Sequence, residues 1–242
     1  MMKHKLVKGF LRNVIIVGML AFSVLSCRQF FTTSLAPWAA RDPASLIPPV
    51  TTGNIDDLLE QSANNPDQSL ALLDTIADAV STASAADAVV LQAAALTAAS
   101  NASGVATAVL QNTGTLLDTM QNNGDIIPVI SDAISGLSNL APTADLLAAI
   151  LPAPSTAAFD AFVAQASPED LAMAAIVLLA SEAQASGGVE TYISSFDPQS
   201  GSLSTTETLA VALASATAAS YAASGGTGPL ADILAGLNLT TP

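Results

Sequence analysis

Between Asp42 and Pro242 the chain contains no lysine, arginine, histidine or cysteine. Each absence removes a class of chemistry. Phosphate groups are gripped mainly by lysine and arginine, so no nucleic-acid partner is expected. A P-loop or Schiff-base lysine, a Cys–His pair and a Ser–His–Asp triad cannot be assembled from what remains. Imidazole and thiolate metal sites are excluded as well, so zinc is not expected; the acids favour basic partners or hard cations, whose ligands are oxygens, but no metal site and no cofactor is assigned. The surviving functional groups are carboxylates, hydroxyls, amides and the phenols of Tyr192 and Tyr221. Two-carboxylate glycoside hydrolysis could draw its pair from Glu169, Asp170, Glu182 and Glu190. Aromatic residues, which stack on sugars, make up only 4% of the chain, and the expectation is that the protein is not an enzyme. A calcium loop is missing too: Asn122-Asn123-Gly124-Asp125 lacks the acidic ladder and closing glutamate and reads as a turn.

All six basic residues lie at or before Arg41, and all 20 acids lie at or after Asp42. Lys3, Lys5, Lys8 and Arg12 precede an uncharged, mostly apolar run from Val14 to Ser26. A positive segment followed by a short apolar one is the layout of a secretory signal, and the run is shorter than the roughly 20 residues of a membrane span. The only cysteine, Cys27, stands where that run ends. Val24-Leu25-Ser26-Cys27 resembles the lipobox of bacterial lipoproteins, in the relaxed form found among spirochaete-type members. Ser26 and the aliphatic Val24 match that box, whereas Leu25 departs from it, since a smaller residue is usual there. The resemblance covers residues 1–27. It implies cleavage before Cys27, lipidation of that residue and attachment to a membrane. Arg28 stands where an aspartate marks inner-membrane retention in familiar sorting schemes, which favours the periplasmic face of the outer membrane. The expected organisation is a signal peptide over 1–26, a lipidated N-terminus and proline-rich linker over 27–53, and a helical domain over 54–242. Pro37, Pro43, Pro48 and Pro49 keep the linker extended, while Phe30, Phe31 and Trp38 suit either the membrane interface or the domain surface.

Beyond Asn54 the sequence predicts helix after helix. Asn65-Pro66-Asp67 places an N-cap, a proline at N1 and an acid in the first turn. At 100° per residue Asp67, Asp74 and Asp78 share one face, and Leu72, Leu73, Ile76 and Val80 lie opposite. Ser167-Pro168-Glu169-Asp170 opens a helix that is apolar all round for ten residues before Ser181, the pattern of a central buried helix. Ser204-Thr205-Thr206-Glu207 is a capping box. Further starts are expected at Ser84, Thr143, Ser155 and Thr227. Asp57, Asp67, Asp87, Asp145, Glu169, Asp170, Glu207 and Asp232 are expected in first turns, where they complement the positive helix end. No stretch alternates as a strand would. The expected fold is all-α, with antiparallel helical hairpins forming a multi-helix bundle or short solenoid. The cadence loosely resembles tetratricopeptide-like arrays, although the W-x2-L-G-x2-Y signature is missing and no steady 34-residue period is visible.

Phe159, Phe162, Tyr192, Phe196 and Tyr221 are the aromatics of this helical part. At helical spacing they suit a core, and they also mark the candidate lining of a ligand groove. The function expected is that of a membrane-anchored scaffold in the cell envelope that binds another envelope protein. The alternative is a periplasmic lipoprotein holding an apolar small molecule for a transporter.

Overall fold

The structure, a computed structural model, describes residues 47–122, 124–198 and 202–223. Over these residues the fold is all-α: 10 helices and no strand. The chain divides into two units, Met1–Asp42 and Pro43–Pro242, and all described residues belong to the second. The signal segment, Cys27, most of the linker and the helix start expected at Thr227 lie outside the described residues. Among the described residues no single helix is long and apolar enough to cross a membrane.

The helices are α1 (Ile55–Ser62), α2 (Pro66–Thr82), α3 (Ala85–Ser103), α4 (Val105–Gln121), α5 (Ile127–Ser135), α6 (Leu140–Ile150), α7 (Ala157–Gln165), α8 (Pro168–Ala185), α9 (Val189–Ser195) and α10 (Thr205–Ala223). The packed chain begins ahead of Asn54, because Val50 is buried in the core and Ile47 rests on it.

Helix starts follow local chemistry. Asn65 Oδ1 accepts from the Gln68 N–H at 3.2 Å, Ser84 Oγ from Asp87 N–H at 3.3 Å, and Ser167 Oγ from Asp170 N–H at 3.0 Å. At α10 the capping box closes reciprocally. The Glu207 N–H donates to Ser204 Oγ at 3.0 Å, and the Ser204 N–H to Glu207 Oε2 at 2.7 Å. Two expected starts are corrected. Helix α6 begins at Leu140, not after Thr143, so Thr143 lies inside it and Asp145 falls outside its first turn. Pro142 allows this because it sits in the first turn, where a missing N–H leaves no intrahelical bond unmade. Helix α7 is capped by Thr156, whose hydroxyl accepts from the Phe159 N–H at 3.1 Å. The preceding Ser155 turns the chain through φ 63° instead.

Helices α3 and α8 form the centre. Leu96, Ala95, Ala98 and Ala99 of α3 and Leu171, Ala174, Val177 and Leu178 of α8 are fully or almost fully enclosed. As its sequence predicts, α8 has buried positions around most of its circumference, and α3 shares that property. Alanine at these positions lets neighbouring helices approach closely. Helix α2 lies along α3 and turns Leu72, Leu73 and Ile76 inward, with Asp67, Asp74 and Asp78 on the solvent side. Helix α10 runs antiparallel to α8, since its start meets Glu182 and its last turn meets Glu169. Helix α6 packs against α2, α3 and α8. Contacts between helices so distant in the chain make a bundle, not a solenoid of nearest neighbours.

Gly104, at φ 74°, ends α3 in the left-handed conformation that glycine adopts without penalty. The chain bends there by 69° into α4. That bend carries α4 away from the central pair, and α5 returns beside it. After Val105 no described residue of α4 is buried, and α5 has no buried residue at all.

Candidate functional site

The bend at Gly104 and the return at Gly124-Asp125 set the geometry of a sizeable apolar hollow. Gly124 is needed at that return, because a Cβ there would stand 2.9 Å from Thr119 Cγ2. Asp125 Oδ1 accepts from the Ile127 N–H at 3.0 Å and so starts α5. Helices α4 and α5 then diverge around a groove of about 210 Å³. On the α4 side Val105, Ala108, Val109, Asn112 and Leu116 fall on one stripe at helical spacing. Ile126, Ile130, Ala133, Ile134 and Leu137 form the opposite wall, and Ile176 of α8 is the floor. The Asn112 amide, the only polar side chain of the lining, turns back to donate to the Ala108 carbonyl at 2.8 Å. The groove therefore offers dispersion and water exclusion, with no polar group directed at an occupant.

The five aromatics singled out from the sequence do not line this groove. Phe159 and Phe162 lie 5.9 Å apart, ring centre to ring centre, inside the main core, with Phe162 fully enclosed. Tyr192 and Phe196 pair at 5.2 Å in a smaller cluster with Val189 and Ala183. That cluster braces the outer side of the groove wall, since Ile130 and Ile134 pack on it. Tyr221 is on the last turn of α10. Its hydroxyl donates to Glu169 Oε1 at 2.8 Å.

Burial, then the bond to Glu169 and its charge, push the Tyr221 phenol up to about 12. The Tyr192 phenol is displaced further upward, first by burial, then by the hydrogen bond it donates to Glu207 Oε1 at 3.1 Å and the charges of Glu207 and Glu182. Both phenols are thus held protonated as donors to carboxylates, which is the opposite of an activated general base.

The carboxylates considered for catalysis are engaged in local structure. Asp170 Oδ2 accepts from Ser167 Oγ at 2.8 Å, and Glu182 Oε1 from Ser204 Oγ at 3.0 Å. Glu169 and Glu182 lie near opposite ends of α8, about 20 Å apart along its axis at 1.5 Å per residue. That exceeds the separation a glycosidase pair requires. Glu190 is in the first turn of α9. Among the described residues no group of three or more carboxylates, imidazoles or thiols could hold a metal ion.

Sequence reasoning misses the groove because 105–121 carries Thr, Asn and an interior Gly114 and has no cap to announce it. Its apolar stripe, together with Ile126, Ile130 and Ile134 at four-residue intervals, is the available signal. No protein-family model, curated protein or solved structure matches this chain.

Proposed function

We propose that this chain is an exported lipoprotein, held at a membrane through Cys27, whose helical domain binds a protein partner in the groove between α4 and α5. The observation that carries the reading is the groove itself: about 210 Å³, apolar throughout, and flanked by two helices that bury little of themselves in the core. Its volume is below the roughly 300–1,000 Å³ of a typical small-molecule pocket. It suits the apolar face of a partner helix, which presents anchors at i, i+3, i+4 and i+7. Asp118, Asp125 and Asp132 are exposed on and between the same two helices, so a partner with basic residues around an apolar ridge is favoured. The lipid supplies the location, at the periplasmic face of the outer membrane, and the linker supplies the reach. A lone acyl chain binds membranes weakly, but the several chains of a lipoprotein anchor hold firmly at about 0.8 kcal/mol per buried methylene.

A second reading draws on the same lining. With no polar side chain aimed inward, the groove also suits a small apolar molecule carried to a transporter.

The test is extraction of the full-length protein from its own membranes in mild detergent, with companions identified after digestion by a protease other than trypsin. The intact mass of the mature chain reports the lipid. A stoichiometric envelope protein supports the scaffold reading. A protein carrying only small apolar molecules overturns it in favour of the carrier, and an unmodified Cys27 overturns the tether.

A further inference from the structure

The two walls of the groove are held in different ways. Helix α4 is fixed where it starts, because Val105 is buried and Val109 rests on the main core. Helix α5 has no buried residue. Its C-terminal end reaches the main core through Ile134 and the following Leu137, whereas Ile127 and Ile130 pack on the small cluster built around Tyr192. The root of the α4–α5 hairpin is closed by the Ser138 N–H, which donates to the Ser103 carbonyl at 3.0 Å. Beyond that root, among the described residues, the side chains of 106–136 hydrogen-bond only within their own stretch.

The outer part of α5 therefore takes its position from α9. That helix has seven residues and is entered through Gly187 at φ 89° and Gly188 at φ 123°. Both angles are unstrained for glycine alone, so the entry can serve as a pivot. Among the described side chains of 189–196, the Tyr192 hydroxyl is the one that bonds outside α9, donating to Glu207 Oε1 at 3.1 Å. Glu207 is firmly placed: its Oε2 accepts from the Ser204 N–H at 2.7 Å, and the helix it opens buries Leu209, Ala210 and Leu213. One hydrogen bond thus connects core-anchored α10, through Tyr192, to Ile130 of the groove wall.

We infer that the Tyr192–Glu207 hydrogen bond is a latch that sets the width of the α4–α5 groove, which makes Tyr192 a positioning residue for the occupant. This regulates the site named above and rests on the groove being the partner-binding surface. With the bond made, α9 holds α5 in place and the groove measures about 210 Å³. With the bond broken, α9 turns on Gly187 and Gly188, and α5 moves with it and widens the groove. A hydrogen bond to a carboxylate contributes more than a neutral one, so its loss should favour opening by about tenfold.

The experiment is amide hydrogen exchange of the full-length wild type, Tyr192→Phe and Glu207→Gln proteins, read by mass spectrometry after pepsin digestion. Tyr192→Phe keeps the ring in its cluster and removes the hydroxyl alone. Exchange across 127–135 and 189–195 should be about tenfold faster in that variant, with α3 and α8 unchanged. Glu207→Gln is the conservative control. Its amide keeps the capping box and still bonds the phenol, so α5 and α9 should exchange as in the wild type. Equal exchange in the wild type and Tyr192→Phe overturns the latch. Acceleration that extends equally to α3 and α8 also overturns it, because the hydroxyl would then add only to overall stability. Partner capture from membranes is scored separately on the wild type and Tyr192→Phe. A captured envelope protein without selective acceleration sinks the latch alone. Selective acceleration with no envelope protein captured by either sinks the partner-binding reading and leaves the latch.

Discussion

Replacing Thr143 by valine should stabilise this domain. Thr143 lies in α6 and is fully enclosed, and its Oγ1 is the one buried side-chain oxygen or nitrogen without a hydrogen-bond partner among the described residues. Its backbone N–H is satisfied by the Asn139 carbonyl at 3.0 Å, so only the hydroxyl is at issue. An unpaired buried hydroxyl costs about 1–3 kcal/mol, and valine replaces it with a methyl of nearly the same shape. Helix propensity hardly changes between the two β-branched residues. The net expectation is a gain of about 1–2 kcal/mol, or roughly 2–8 °C in Tm for a domain of this size. Circular dichroism during thermal and denaturant unfolding measures it, with Thr143→Ser as the control. Serine keeps the unpaired hydroxyl and loses the methyl, so it should destabilise by about 1 kcal/mol. A Thr143→Val protein that is less stable than the parent would refute the reasoning, because it would mean that the hydroxyl is satisfied, by an enclosed water for example.

Gly114 stands in the interior of α4, where an added Cβ meets nothing within 4 Å. Gly114→Ala should therefore raise stability by about 0.5–1 kcal/mol in the same unfolding assay. Phe162→Ala should cost about 3–5 kcal/mol, since the ring is fully enclosed against Phe159 and the core cannot close over the space. Both tyrosine phenols titrate higher in the folded chain than the ordinary value of 10.0. Above pH 10 the unfolded chain loses those protons before the folded one does, so stability should be level below about pH 10 and fall as pH rises beyond it. Tyr192→Phe should make that alkaline fall shallower in urea titrations across pH. An unchanged slope would show that the buried Tyr192 phenol does not drive it.

The helix starts are legible wherever a side chain announces them. Ser84, Ser167 and Ser204 cap the helices their sequences predict, because a hydroxyl with an acid three residues on has one efficient use at a helix N-terminus. Thr143, whose acid Asp145 stands only two residues on, offers the same hydroxyl without that spacing and is not a cap, since such a side chain is also tolerated inside a helix and Pro142 fits a first turn as readily as it ends a loop. The central place of α8 is legible from its uninterrupted apolar circumference. That of α3 is hidden by Asp87, Gln92 and Asn101, although the Gln92 amide is accommodated inside by donating to the Ile150 carbonyl at 3.0 Å. The groove depends on the 69° bend at Gly104 and on the separation of α4 from α5. Glycine marks where a chain can turn but not by how much, so the stripe on α4 alone cannot tell a groove wall from a core face.

That the α4–α5 groove receives an envelope protein is tested most directly by parallel extraction of the wild-type protein and an Ala108→Phe variant from the same membranes. Circular dichroism confirms equal helix content in the two. Ala108 lines the groove from the α4 side, and the introduced ring would fill the space a partner helix needs. A stoichiometric partner is expected with the wild type, and its loss with the variant. The same partner held equally by both proteins would contradict the groove's role.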